Sequence, residues 1–240
     1  TLTILGLYLL TKEILLKSDF NSSRGQTSIA LLSSFFIATS FWHINFSRIG
    51  FRAIMVPFFA AFGIYFLLKG LRRGKILDMV WAGIFIGLGF HSYIAFRFMP
   101  FVIAAPLIWY IWRWRRKQIT SCVPCLVALF LFITFAAALP IGYYFLKNPQ
   151  DFLGRGGQIS IFSAESPLLE FAKSNLLMLG MPFVWGDCNW RHNLACQPEL
   201  NPIVSTFFLI GLVRLLSSPH NVKHSVFNIM LLAWLFFLSL

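Results

Sequence analysis

Cys122-Val-Pro-Cys-Leu-Val-Ala-Leu-Phe-Leu-Phe-Ile-Thr-Phe-Ala-Ala-Ala-Leu-Pro-Ile-Gly-Tyr-Tyr144 contains no Asp, Glu, Lys or Arg. A helix needs roughly 20 apolar residues to cross the hydrocarbon core of a bilayer, and this run supplies them. Barrel strands alternate apolar and polar residues, whereas this run does not, so the stretch predicts a membrane-spanning helix. Seven further apolar segments are legible outward from it, at residues 2–16, 27–42, 53–68, 76–93, 98–112, 203–216 and 226–240. Several are shorter than a full span, and flanking Trp, Tyr, Arg and Lys at the interface make up the difference. The expectation is an all-α bundle of about eight spans, with residues 1–144 and 203–240 in the membrane and residues 145–202 outside it.

Composition agrees. Of 240 residues, 58% are hydrophobic and 12% charged, and Phe alone occurs 28 times. Soluble domains carry roughly 25% charged residues, so a soluble or disordered chain is excluded. The net charge of +12 sits in short clusters between apolar runs rather than on one polar face. That distribution argues for a membrane protein and against a nucleic-acid partner. The chain begins and ends inside apolar runs, which reads as an internal piece of a longer protein. Placing residues 71–75 in the cytoplasm puts the basic loops at 12–24, 113–117 and 214–223 there too, as the positive-inside rule asks. His220 and His224 read as solvated flanks of the last of these loops.

The long connection, residues 145–202, then lies outside. Ser166-Pro-Leu-Leu-Glu170 offers an N-cap serine followed by proline at the first helical position. Residues 168–179 read as a short amphipathic helix lying at the membrane surface. Residues 180–202, with three prolines, read as a loop.

Three polar clusters fall at the outer side. In Phe41-Trp-His-Ile-Asn-Phe-Ser-Arg-Ile-Gly-Phe-Arg52, Arg48 and Arg52 share a face if the stretch is helical. They read either as arginines snorkelling from a helix end or as a bidentate phosphate clamp. In His91-Ser-Tyr-Ile-Ala-Phe-Arg-Phe-Met-Pro100, Tyr93 and Arg97 repeat the i, i+4 spacing. His91 reads as a hydrogen-bonded packing residue or as part of a site. Arginines from two segments at one membrane depth suggest an anionic ligand between them, with a lipid phosphate the simplest. The third cluster, residues 185–202, gathers Asp187, Asn189, Arg191, His192 and Asn193. There Asp187 orients His192 or pairs with Arg191. Such groups beside an aromatic face suit a sugar, and a polar loop cap is the structural alternative. Cys188 and Cys196 are a possible disulfide. Cys122 and Cys125 lie in an apolar span and read as inert core thiols. No metal site or cofactor is evident, and a divalent metal is left open.

Trp-His-Ile-Asn-Phe-Ser-Arg-Ile-Gly-Phe-Arg, His-Ser-Tyr-x-x-x-Arg-Phe-x-Pro and Gly-Asp-Cys-Asn-Trp-Arg-His-Asn together resemble bacterial GT-C membrane glycosyltransferases. The resemblance is to the protein O-mannosyltransferase and aminoarabinose transferase relatives. Relatives often have Pro at the position of Cys188 and Pro-Gly near Ala195-Cys196. The resemblance implies a bacterial-type plasma membrane enzyme with a polyprenyl-phosphate sugar as donor and a hydroxyl on protein, lipid or glycan as acceptor. It implies a general-base Asp in a first outer loop upstream of Thr1, so no catalytic residue is assigned here and the piece is expected to be inactive alone. The competing classes are a transporter or flippase and another outer-leaflet polymer enzyme of the O-antigen ligase or polymerase type. Inverted repeats and midplane polar breaks, which would favour a transporter, are not evident.

Overall fold

The computed structural model describes residues 2–16, 23–152, 166–189, 191–194 and 196–217, without the side chains of 167, 168 and 214–217. Among these residues the secondary structure is entirely helical. The α-helices are α1 (Leu2–Leu15), α2 (Ser23–Thr39), α3 (Phe41–Ile49), α4 (Met55–Arg73), α5 (Ile76–Gly89), α6 (Met99–Arg115), α7 (Val123–Lys147), α8 (Pro167–Gly180) and α9 (Pro202–Ser217). Short 3-10 turns at Arg52–Ile54 and Ile94–Phe98 lead into α4 and α6.

Three stretches are long and apolar enough to cross a membrane: Arg52–Arg73, Ile94–Arg115 and Val123–Lys147. A fourth is possible if the pair α2 and α3, bent by 54°, counts as one broken span. The expectation of about eight spans is thus met only in part. The 14 residues of α5 rise only about 21 Å, short of a hydrocarbon core of about 30 Å. The expected span at 226–240, His220 and His224 lie outside the described residues. The expected span at 27–42 breaks at Ser40, whose ψ of 125° is extended. Just before it the Thr39 hydroxyl donates back to the Phe35 and Phe36 carbonyls, a bond that bends helices.

The core lies where α4, α5 and α7 meet, with α1 and α6 packed beside α4. Leu67, Leu71, Met79, Ile86, Phe96, Val123 and Phe130 are fully buried there. Close packing of α5 on α7 depends on glycine. A Cβ on Gly87 would meet the Ala137 Cβ at 2.5 Å and the Thr134 carbonyl at 2.7 Å. With Gly83 one turn earlier, this is the small-residue spacing that lets membrane helices approach closely. Phe62, Phe66 and Phe85 stack between α4 and α5. On α7, Phe132, Phe135 and Leu139 stay exposed, an apolar surface of the kind that faces lipid.

Charges inside this apolar bundle are paired. Arg72 donates through Nε and Nη2 to both carboxylate oxygens of Glu13, tying α4 to α1. Lys69 lies 3.2 Å from Asp78 and ties α4 to α5. Between them Gly74 caps α4 in the left-handed region (φ 69°), which a residue with a Cβ adopts at a cost.

The cysteine pair at the start of α7 differs from expectation. Cys122 and Cys125 form a disulfide, with Cα atoms 5.4 Å apart. They are exposed at the helix entrance rather than buried inside a span. Cys122 is the N-cap and Cys125 sits in the first turn, so their spacing falls within bonding geometry.

Candidate functional site

The first two polar clusters converge on one cavity of about 630 Å³. Arg52, His91, Tyr93 and Arg97 line it, together with Phe51 and Asp151. Arg48 is not among the lining residues. The reason is local: α3 ends at Ile49, and Gly50 turns the chain at φ 68° before Arg52 opens the next turn. Arg48 and Arg52 therefore do not lie on one continuous helix. Both are exposed.

Arg97 is the most constrained of the cavity's cations. Its guanidinium lies 4.2 Å from the Phe152 ring centre and 4.9 Å from that of Phe145. One Nη1–H donates to the Phe152 carbonyl at 3.2 Å. Aromatic faces attract a cation and fix its plane, and among the described residues the other guanidinium N–H groups stay available. His91 Nε2 lies 3.0 Å from the Ala137 carbonyl of α7. A carbonyl only accepts, so Nε2 carries the proton and Nδ1 is the acceptor nitrogen. His91 is thus a packing hydrogen bond and a cavity residue at once.

Asp151 belongs to none of the three polar clusters of the sequence. It sits just beyond α7, and the Tyr144 hydroxyl donates to its Oδ2 at 2.6 Å. The cavity accordingly holds two permanent cations and one carboxylate.

The third cluster forms its own compact loop. Cys188 and Cys196 are disulfide-bonded, with Cα atoms 4.1 Å apart. Asp187 Oδ1 accepts the Asn189 N–H at 2.8 Å, and Oδ2 lies 2.8 Å from His192 Nδ1. Asn189 Oδ1 accepts the Arg191 N–H, and its carbonyl accepts the amides of His192 and Asn193. The buried Asn193 side chain donates to the Gln197 carbonyl at 2.6 Å. Gly186 sits against that same carbonyl, with no room for a Cβ. Of the two sequence alternatives for Asp187, the pair with His192 is the one formed.

Electrostatics follow from these bonds. Burial pushes the Asp187 carboxyl up, but the Asn189 amide and the His192 ring outweigh it and hold the group below its ordinary range. The Glu199 carboxyl is pushed up, first by burial and then by the charge of Asp187. Among the described residues, no three His, Cys, Asp or Glu side chains gather where they could hold a metal ion.

The loop docks on the first cluster. The Asn45 side-chain amide donates to the carbonyls of Arg191 and His192 at 3.2 and 3.1 Å. The His192 ring packs against Phe46 and edge-on to Phe51, with centres 5.5 Å apart in both cases. Phe51 also lines the cavity, so one aromatic ring separates the Asp187–His192 pair from the arginine site. Sequence reading placed these clusters on the same side. It had no signal for Asn45 and Phe51 as the residues that join them.

Comparison with known proteins adds the family. The family model described as dolichyl-phosphate-mannose-protein mannosyltransferase matches residues 1–141. The match contains Arg52, His91, Tyr93 and Arg97 and stops before Asp151 and the disulfide-bonded loop. Searches of curated proteins and of solved structures find no match. A match over more than half of the chain, on a multi-helix apolar bundle, places this protein in the dolichyl-phosphate-mannose-protein mannosyltransferase family of GT-C-type membrane glycosyltransferases.

Proposed function

We propose that this chain belongs to an enzyme that moves a sugar from a polyprenyl-phosphate donor to a hydroxyl on a protein, lipid or glycan. The reading places the reaction at the outer face of a bacterial-type plasma membrane, with α8 lying along the surface. The observation that carries it is the convergence of Arg52 and Arg97, from separate segments, on one cavity beside apolar helices. As the bond between the sugar's anomeric carbon and the phosphate oxygen breaks, the phosphate gains negative charge. The acceptor oxygen bonds to that carbon from the opposite face, and its proton passes to a general base. Guanidinium groups already fixed at the phosphate bind the transition state more strongly than the ground state. The rings of Phe145 and Phe152 hold Arg97 without consuming all its donors, which suits that task.

The test is binding of farnesyl phosphate, a short lipid phosphate, to the detergent-solubilised chain, which requires no general base. Arg97→Ala and Arg52→Ala should each weaken binding about tenfold to a hundredfold, as loss of a charge-assisted hydrogen bond does. Arg48→Ala should change it less than twofold. Unaltered affinity in both Arg52→Ala and Arg97→Ala would remove the cavity from the donor site.

A further inference from the structure

We infer that the Asp187–His192 pair is a sugar-binding group that grips a hydroxyl of the residue carried by the lipid phosphate. The inference rests on the donor reading above and extends it to a loop beyond the family match. Three observations carry it. The first is the tautomer. Asp187 is held ionised by its bonds, and a carboxylate only accepts, so the proton between them belongs to His192 Nδ1. When the ring is neutral, Nε2 is then the lone-pair nitrogen, and among the described residues it has no hydrogen-bond partner. The ring is only partly covered, with 27% of the side chain exposed. In that form the ring offers a positioned acceptor to a hydroxyl donor.

The second observation is the setting. His192 is flanked by the rings of Phe46 and Phe51. A hexose presents hydroxyls around its rim and apolar C–H faces above and below. An acceptor nitrogen among aromatic rings is complementary to both. The third is position. Phe51 packs edge-on against His192 and also lines the arginine cavity. In a lipid-phosphate sugar the sugar follows the phosphate directly. With a phosphate at Arg52 and Arg97, a sugar that extends along Phe51 meets His192 at the edge of that ring. The remaining bonds of the loop have a consistent purpose. The Cys188–Cys196 disulfide, the Asn193–Gln197 bond and the Asn45 amide hold the imidazole in place before any ligand arrives.

The test compares two probes on the same protein, farnesyl phosphate and farnesyl-phosphate mannose, by titration of the solubilised chain. In the unmodified protein the mannosylated probe should bind more tightly. His192→Ala should weaken the mannosylated probe about tenfold, the loss of one good hydrogen bond, while farnesyl phosphate binds as before. His192→Gln, whose amide oxygen can accept, should recover part of the difference. Asn45→Ala, which releases the backbone that carries the imidazole, should also weaken the mannosylated probe and leave farnesyl phosphate unchanged. Equal loss of both probes in His192→Ala would mean a displaced loop, and no loss of either would mean no sugar contact; each overturns the inference. Failure of Arg52→Ala and Arg97→Ala to weaken farnesyl phosphate would instead sink the donor reading, so the two failures are distinct.

Discussion

The side-chain amide of Asn45 donates to two consecutive backbone carbonyls, those of Arg191 and His192, across 146 and 147 residues of sequence. Asn45 sits in α3, the short helix after the break at Ser40. Its two N–H groups join the disulfide-bonded loop to the helical bundle.

Replacing Asn45 tests that joint. Asn45→Ala removes both bonds and should cost roughly 1–3 kcal/mol of loop docking. Asn45→Asp should be worse, since a carboxylate cannot donate and repels the two carbonyls. Hydrogen exchange in residues 185–202 should quicken in both, while the α4–α5–α7 core keeps its protection. Unchanged exchange in the loop would show that Phe46 and Phe51 alone hold it.

The loop disulfide should be separable from the bundle. Cys188 and Cys196 close a short loop whose loss costs roughly 2–3 kcal/mol. Cys188→Ser with Cys196→Ser should raise protease cutting between residues 185 and 202 and leave the helical content by circular dichroism intact. A collapse of helical content would contradict the packing described.

Docking of the same loop should depend on pH in both directions. Asp187 is held below its ordinary value. Its contribution is therefore present above the unfolded value, near 4, and is lost as pH falls through the folded value. Glu199 is pushed up. Its contribution is present below the unfolded value, near 4.5, and is lost as pH rises through the folded value. Loop protection should therefore peak in mildly acidic solution. Glu199→Gln should remove the decline on the alkaline side and Asp187→Asn the decline on the acid side, read by hydrogen exchange corrected for intrinsic rates.

The ion pair between α1 and α4 offers a stability test. Glu13 keeps only 5% of its side chain exposed. Arg72→Ala strands that carboxylate and should destabilise the bundle by roughly 3–5 kcal/mol in a detergent melt. The double change Glu13→Leu with Arg72→Met should recover most of the loss, because it removes both buried charges together. Equal destabilisation in the double variant would mean that packing, not charge, dominates there.

The α5–α7 contact tolerates no side chain at Gly87. Gly87→Val places its added carbon against the Thr134 carbonyl, which is helical backbone and cannot turn aside. A loss of roughly 1–3 kcal/mol or more is expected, with α7 shifted outward. Gly142→Val, at a glycine with open space around its Cβ position, should cost far less.

Several features were determined by sequence alone, for physical reasons that act locally. An apolar run such as residues 122–144 cannot be solvated in water, so a helical membrane protein follows from composition and segment length. The quoted motifs single out Arg52, His91, Tyr93 and Arg97, which line one cavity. Tertiary structure decided what no local pattern encodes. Gly50 turns the chain between Arg48 and Arg52, so only the second reaches the cavity. Tyr144 brings Asp151 to that cavity, and an extended Ser40 bends one expected span. Cys122 and Cys125 meet because a helix begins between them, where apolar surroundings had suggested buried thiols. Asn45 finds the Arg191 and His192 carbonyls only after the bundle has folded. Such bonds depend on where two distant backbones come to rest, and hydropathy and spacing along the chain carry no term for that.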